Sequence, residues 1–99
     1  MSLEKHTDLI KEKTANIDDL NKKVKFEITD EGFIYIDATV TPPKVTNEDS
    51  DADVIFILSE ENFEGLLDGS LNPQMAFMMG KLKIEGNMGL ALKLADLFK

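Results

Sequence analysis

The segment Asp68–Phe98, DGSLNPQMAFMMGKLKIEGNMGLALKLADLF, decides the fold. Asn72-Pro73 is a helix entry, with the asparagine as cap and the proline in the first helical position. Met75, Met78 and Met79 fall on one side of that helix and Phe77 on another, and Gly80 stops it. Lys81 to Glu85 alternates Leu82 and Ile84 against Lys81, Lys83 and Glu85, the pattern of a half-buried strand. Gly86-Asn87 then turns the chain and caps a last helix, Met88 to Phe98. At ~100° per residue its Gly89, Lys93 and Asp96 form a narrow polar wedge. Met88, Leu90, Ala91, Leu92, Leu94, Ala95, Leu97 and Phe98 fill the remaining arc of about 220°. A helix that only roofs a sheet needs an apolar stripe of ~100°. The excess must touch something: other helices, a partner subunit or a bound apolar molecule.

Working upstream, Glu60 to Leu67 is a short helix capped by Ser59, with Glu60 and Glu61 suiting its first turn and Asp68-Gly69 ending it. Its Phe63, Leu66 and Leu67 follow helical spacing. Asp53 to Leu58 runs Val-Ile-Phe-Ile-Leu, apolar on both faces, and predicts an interior strand covered on both sides. Thr41 to Asp51 holds Pro42-Pro43 and an acidic run and reads as a surface loop. Val24 to Thr29 and Phe33 to Val40 alternate and form a hairpin through Asp30-Glu31-Gly32. Ser2 caps a first helix reaching Thr14 or Ala15, with Leu3, Ile10, His6 and Thr7 on one stripe. That apolar face is thin, so the helix is expected to be peripheral. Asn16 to Asn21 is expected to add a further turn, pinned by Ile17 and Leu20. The order of elements implies an α+β fold, with an antiparallel-dominated sheet carrying helices on one face.

The composition excludes several classes of function. Lys and Arg number 11 against 19 Asp and Glu, a net charge of −8, which opposes a nucleic-acid partner and strong docking on anionic membranes, though not transient membrane contact. The absence of cysteine removes thiol nucleophiles, disulfides and thiolate metal sites. The charged start, MSLEKHTDLIKEK, lacks a signal-peptide core, and no apolar run approaches the ~20 residues of a membrane span. A small acidic cytoplasmic domain spanning residues 1–99 is expected.

Motifs that carry chemistry fail when tested. Asn47, Asp49, Asp51 and Asp53 resemble the start of a calcium loop, but Ala52 stands where glycine is needed and Leu58 where a bidentate glutamate is needed. Gly80-Lys81 is no phosphate loop, since Leu82 replaces the hydroxyl residue and Met75 the first glycine. Gly86-x-x-Gly89 is too short for a dinucleotide fingerprint. His6 is the only histidine and is expected to be exposed, without partners for a relay. Lys25, Lys81 and Lys83 read as the solvated face of the sheet, or as a weak anion-contacting patch for a lipid headgroup or coenzyme A. No catalytic residue, metal or cofactor is expected, and the chain is not expected to be an enzyme. Met75, Met78, Met79 and Met88 fit either a plain core or a cavity that adapts to ligands of different shape.

The run Leu71-Asn72-Pro73-Gln74-Met75-Ala76-Phe77-Met78-Met79-Gly80-Lys81-Leu82-Lys83-Ile84-Glu85-Gly86-Asn87-Met88-Gly89-Leu90-Ala91-Leu92-Lys93-Leu94 resembles the C-terminal signature of the sterol carrier protein type 2 family, in its short single-domain bacterial form. The helix start, the Gly-Lys-Leu-Lys-Ile strand and the Gly-Asn-Met-Gly turn arrive in order and without gaps. A looser likeness runs back to the Val24 hairpin, about three quarters of the chain. The resemblance implies a five-stranded, mainly antiparallel sheet whose helices enclose a hydrophobic tunnel for sterols, fatty acids or fatty acyl-coenzyme A. Four strands are evident from spacing, and the fifth would come from around Val45 or from splitting a longer strand. The chain departs from the animal members in a shorter helical start and in Ala95, where many have glutamine. Its end, Leu97-Phe98-Lys99, is not a peroxisomal address.

Together these lead to a non-enzymatic carrier of apolar lipid. Phe56, Leu58, Phe63, Leu67, Met75, Phe77, Met78, Met88, Leu92 and Leu97 are expected to line its tunnel. Burying about fourteen methylenes at ~0.8 kcal/mol each, against association costs of roughly 4 to 15 kcal/mol, puts affinity near micromolar. A monomer is expected; the alternative is an interaction or homodimerisation module that uses the apolar face of the last helix.

Overall fold

The computed structural model describes residues 3–15 and 20–95, apart from the side chain of Ala95. The Ser2 cap, all of the turn expected over Asn16 to Asn21 except its last two residues, and the contributions of Leu97 and Phe98 lie outside these residues; Leu20 is buried as expected, but neither it nor Asn21 is helical. The element order is α1 (Leu3–Thr14), β1 (Lys23–Ile28), β2 (Gly32–Asp37), β3 (Lys44–Thr46), β4 (Val54–Leu58), α2 (Glu60–Asp68), α3 (Pro73–Met78), β5 (Lys83–Gly86) and α4 (Met88–Ala95). The strands form one open sheet in the order β3-β2-β1-β4-β5. Only β1 and β4 pair in parallel; the other neighbours are antiparallel. The fifth strand is indeed the piece around Val45, inside the segment expected to be loop, where Val45 sits opposite Ile36. Three residues flanked by Pro42-Pro43 and acidic side chains carry too little pattern to be recognised as a strand.

Alternation sets the layers. Val24, Phe26, Ile28, Ile34, Ile36, Val54, Phe56 and Leu58 are all buried on the helix-bearing face. On the other face Ile55 and Ile57 are only half-buried, so β4 is not the doubly covered strand expected from its sequence. The acidic loop 47–53 shields the neighbouring part of this face. The Lys25 ammonium lies 2.6 Å from Asp49 and over the Phe33 ring, and the Tyr35 hydroxyl donates to the Asp51 carbonyl at 2.9 Å. β2 stops at Asp37, three residues short of Val40, because the Asp37 carboxylate accepts from the Thr39 amide and hydroxyl and turns the chain. Val40 is left exposed.

The caps are those the sequence implies. Ser59 accepts from the Asn62 amide, Asn72 from Gln74 and Met75, and Asn87 from Leu90. Gly69 closes α2 with φ 83°. α1 departs from expectation: His6 is fully buried and not exposed. Its ring meets Phe63 edge-on at 5.2 Å, and its Nε2 lies 3.1 Å from Glu60 Oε2. Thr7 and Thr14 are also buried on this face, each satisfying its hydroxyl on the carbonyl four residues back. A thin apolar stripe is thus completed by three polar side chains whose hydrogen bonds close locally, onto α2, or, for Thr7, onto the Asn47 amide that donates to its hydroxyl at 2.9 Å.

Candidate functional site

Between the sheet and the two short helices α3 and α4 lies a cavity of about 270 Å³. Phe56 and Ile84, directly paired across β4 and β5, face it together with Leu66 of α2 and Leu82. Pro73, Gln74, Phe77 and Met78 of α3 and Met88, Ala91 and Leu92 of α4 complete the lining. Gln74 is the one polar side chain among them and no lining residue is titratable, so the site offers contact and a single amide, not acid–base chemistry. Leu92 is 61% exposed, Met78 79%, Phe77 44% and Met88 43%. Among the described residues these four form the rim of the cavity and leave it open to solvent.

The surplus apolar arc of α4 is accounted for by this arrangement. Leu90, Ala91 and Leu94 are buried against the sheet, while Met88 and Leu92 turn toward the cavity and solvent. Helix start and placement follow from two contacts at one point. The Asn87 amide donates to the Asp53 carbonyl at 2.9 Å, and Gly86, with φ 100°, leaves no room there for a Cβ, which would sit 2.5 Å from the same oxygen. Any other residue would push α4 away from β4.

Of the ten side chains expected to line a tunnel, Phe56, Phe77, Met78, Met88 and Leu92 come together around the cavity. Leu58 and Phe63 do not. Leu58 is buried one pleat further along β4, opposite Ile28, and Phe63 turns toward α1 to meet Phe26 and His6. Phe26 in turn stacks on Phe56 at 5.1 Å, so a row of four rings runs from His6 to the wall of the cavity. Leu67 is half-buried outside the lining, Met75 projects from α3 to solvent, and Leu97 lies outside the described residues. The lining residues that sequence reasoning missed are Leu66, Pro73, Gln74, Leu82, Ile84 and Ala91. Helical spacing marks Leu66 as buried but does not say which neighbour it faces, and the strand alternation already carried Leu82 and Ile84.

Among the described residues, one group of metal-ligand type brings its atoms within 4.8 Å: His6, Glu60 and Glu64. The chemistry of the set argues against a metal. A metal on Nε2 would place the imidazole proton on Nδ1, which is buried and has no acceptor, whereas ligating histidines almost always donate that second proton. With Nε2 protonated and donating to Glu60, the ring is a clamp between α1 and α2. The acidic loop is similarly engaged: Asp49 holds Lys25, and Asp53 accepts from the Lys23 amide at 2.8 Å.

An open five-stranded α+β sheet, roofed on one face by short helices with an apolar cavity beneath them, defines the class of fold. Within that class the chain belongs to the SCP-2 sterol transfer family, whose model matches residues 3–99. It is 51% identical over 51 residues to human sterol carrier protein 2, which is 52% of this chain but 9% of the length of the human protein. The solution structure of the sterol carrier protein domain 2 of Helicoverpa armigera superposes with a TM-score of 0.76 at 34% identity, over 96% of this chain and 83% of that one. The Aedes aegypti sterol carrier protein-2 in complex with palmitate superposes with a TM-score of 0.73 over 99% of this chain and 96% of that one. At 22% identity that last likeness is one of fold. No helix among the described residues is long and apolar enough to cross a membrane.

Proposed function

We propose that this chain binds an apolar lipid (a fatty acid, fatty acyl-coenzyme A or sterol-like molecule) in the cavity between the sheet and α3/α4, and carries it unchanged as a cytoplasmic monomer. The observation that carries this reading is the lining itself: ten apolar side chains and one amide, with four of the apolar ones exposed at the rim. Family membership supports a lipid ligand, and the palmitate bound by the Aedes protein supports a single acyl chain as one form of it. At about 270 Å³ the cavity sits just below the ~300 Å³ lower end of ligand pockets, so a long chain is held only if the rim closes over it. Met78 and Met88 are suited to that, being unbranched and pliable. Each methylene withdrawn from water contributes ~0.8 kcal/mol, so affinity grows with chain length until the cavity is filled.

The test is a titration of the purified protein with a fluorescent fatty acid, followed by displacement with unlabelled palmitate, acyl-coenzyme A and cholesterol. Mass spectrometry of an organic extract of the fresh protein is run alongside. Saturable uptake with displacement by at least one lipid is expected. No uptake and an extract free of lipid would overturn the proposal.

A further inference from the structure

The chain contains no cysteine and no tryptophan, and its one tyrosine and one histidine, Tyr35 and His6, are buried. Methionine is therefore the side chain through which an oxidant meets this protein. Of the five methionines, Met1 lies outside the described residues, and Met75, Met78, Met79 and Met88 are all exposed. None of these four belongs to the buried core, although methionine commonly fills irregular core space. Instead they gather on α3, its C-terminal end and the start of α4. Met78 and Met88 line the cavity, one from each of the two helices that roof it, and Met75 and Met79 do not.

We propose that Met78 and Met88 are a reversible oxidation site through which a peroxide unloads the carrier. The thioether sulfur attacks one oxygen of hydrogen peroxide, and the O–O bond breaks as an S–O bond forms. The proton of the transferred oxygen passes to the departing hydroxide to give water. Sulfur is oxidised by two electrons and the peroxide is reduced by two. The product, methionine sulfoxide, is polar where the thioether was apolar. In a cavity of about 270 Å³ a long chain is held only with the rim closed over it, which draws these two side chains out of water. The rest of the lining is apolar except for Gln74, so a sulfoxide oxygen drawn over the ligand exchanges water for hydrocarbon and the rim stays open. Because the buried core among the described residues holds no methionine, the same oxidation leaves the fold in place. Sulfoxide reductases reverse the step. The inference rests on the cavity being a lipid site and adds the chemistry that would empty it.

Hydrogen peroxide treatment of the full chain, followed by peptide mapping, is expected to show sulfoxide at Met78 and Met88. Fluorescent fatty-acid uptake should then weaken about tenfold, while the thermal midpoint moves by no more than about 4 °C. The two methionine sulfoxide reductases, one for each epimer, should restore uptake to within about twofold of the untreated protein. Met75→Leu/Met79→Leu alters no lining residue and should lose uptake on oxidation as the parent does. Met78→Leu/Met88→Leu, compared only with itself before and after peroxide, should lose none. Whatever the basal uptake of that variant, the parent decides. Sulfoxides at both rim positions with undiminished uptake, a loss the reductases leave in place, or a loss that tracks unfolding overturns the proposal. So does protection by Met75→Leu/Met79→Leu, or resistance of Met78 and Met88 to the peroxide. Uptake that is normal before peroxide and unchanged after it sinks the oxidation site alone, whereas no uptake by the untreated parent sinks the lipid-carrier reading and this inference with it.

Discussion

Leu90 and Leu92 are two residues apart on α4, yet one is 7% exposed against the sheet and the other 61% exposed at the rim of the cavity. They separate folding from binding. Leu90→Ala deletes buried methylene groups and is expected to cost about 2 to 4 kcal/mol in urea unfolding. Leu92→Lys adds a charge at a solvated rim and is expected to move stability by no more than about 0.5 kcal/mol. Its fluorescent fatty-acid uptake should fall at least tenfold, a change of about 1.4 kcal/mol in binding. Equal losses of stability and uptake in Leu92→Lys would place that side chain in ordinary core. Gly86 is a third decisive residue. Gly86→Ala combines a positive φ with a Cβ driven onto the Asp53 carbonyl, and about 2 to 4 kcal/mol of destabilisation is expected. A urea midpoint unchanged from the parent would show that β5 and α4 move away from β4 freely.

Among the elements, α1 and α2 are joined through His6, whose ring edge meets Phe63 and whose Nε2 meets Glu60. His6→Ala removes a buried ring and leaves a cavity beside Phe63, and an expected loss of about 2 to 4 kcal/mol can be read from thermal unfolding. The eight described residues of α4 would not persist as a helix alone. Its Asn87 cap therefore matters to the cavity it roofs, and Asn87→Ala is expected to cost about 1 kcal/mol and to weaken lipid uptake in step. At the end of β2, the hydroxyl and amide of Thr39 hold the Asp37 carboxyl below the ordinary carboxylate range. A depressed folded value means the turn is stabilised at neutral pH and loses that contribution as pH falls through the ordinary carboxylate value to the folded one. Carbon NMR of the Asp37 carboxyl should show a low midpoint that rises in Thr39→Val.

For the molecule as a whole, a ligand that binds only the folded state stabilises it by mass action. At a free lipid concentration of 100 times Kd the gain is about 2.7 kcal/mol, which for a domain of this size raises Tm by roughly 10 to 20 °C. Differential scanning calorimetry with and without palmitate measures it, and a Tm indifferent to every lipid offered would contradict a cavity ligand. The same whole-molecule view explains which features could be read in advance. Alternation in Val24–Ile28, the Asn72-Pro73 entry and the Gly86-Asn87 turn are local signals, and each produced its element where expected. β3 escaped because three residues carry too short a period, and β4 was expected to be covered on both faces because hydrophobicity does not report which face a helix will reach. His6 was expected at the surface because its partners lie 54 and 57 residues away.

What the chain by itself determined is its inventory: four of the five strands, the caps, and an excess of apolar surface on α4. Those properties are set by neighbours within a few residues, where backbone sterics and side-chain period act. Tertiary packing alone decided how that inventory divides. It turned Phe63 toward Phe26 and His6 and turned Leu66 toward Phe56 and Ile84. It left Met88 and Leu92 at the mouth of a space that the rings do not fill. A hydrophobic side chain gains nearly the same free energy from burial against any apolar neighbour, so its identity says that it will be covered but not by what.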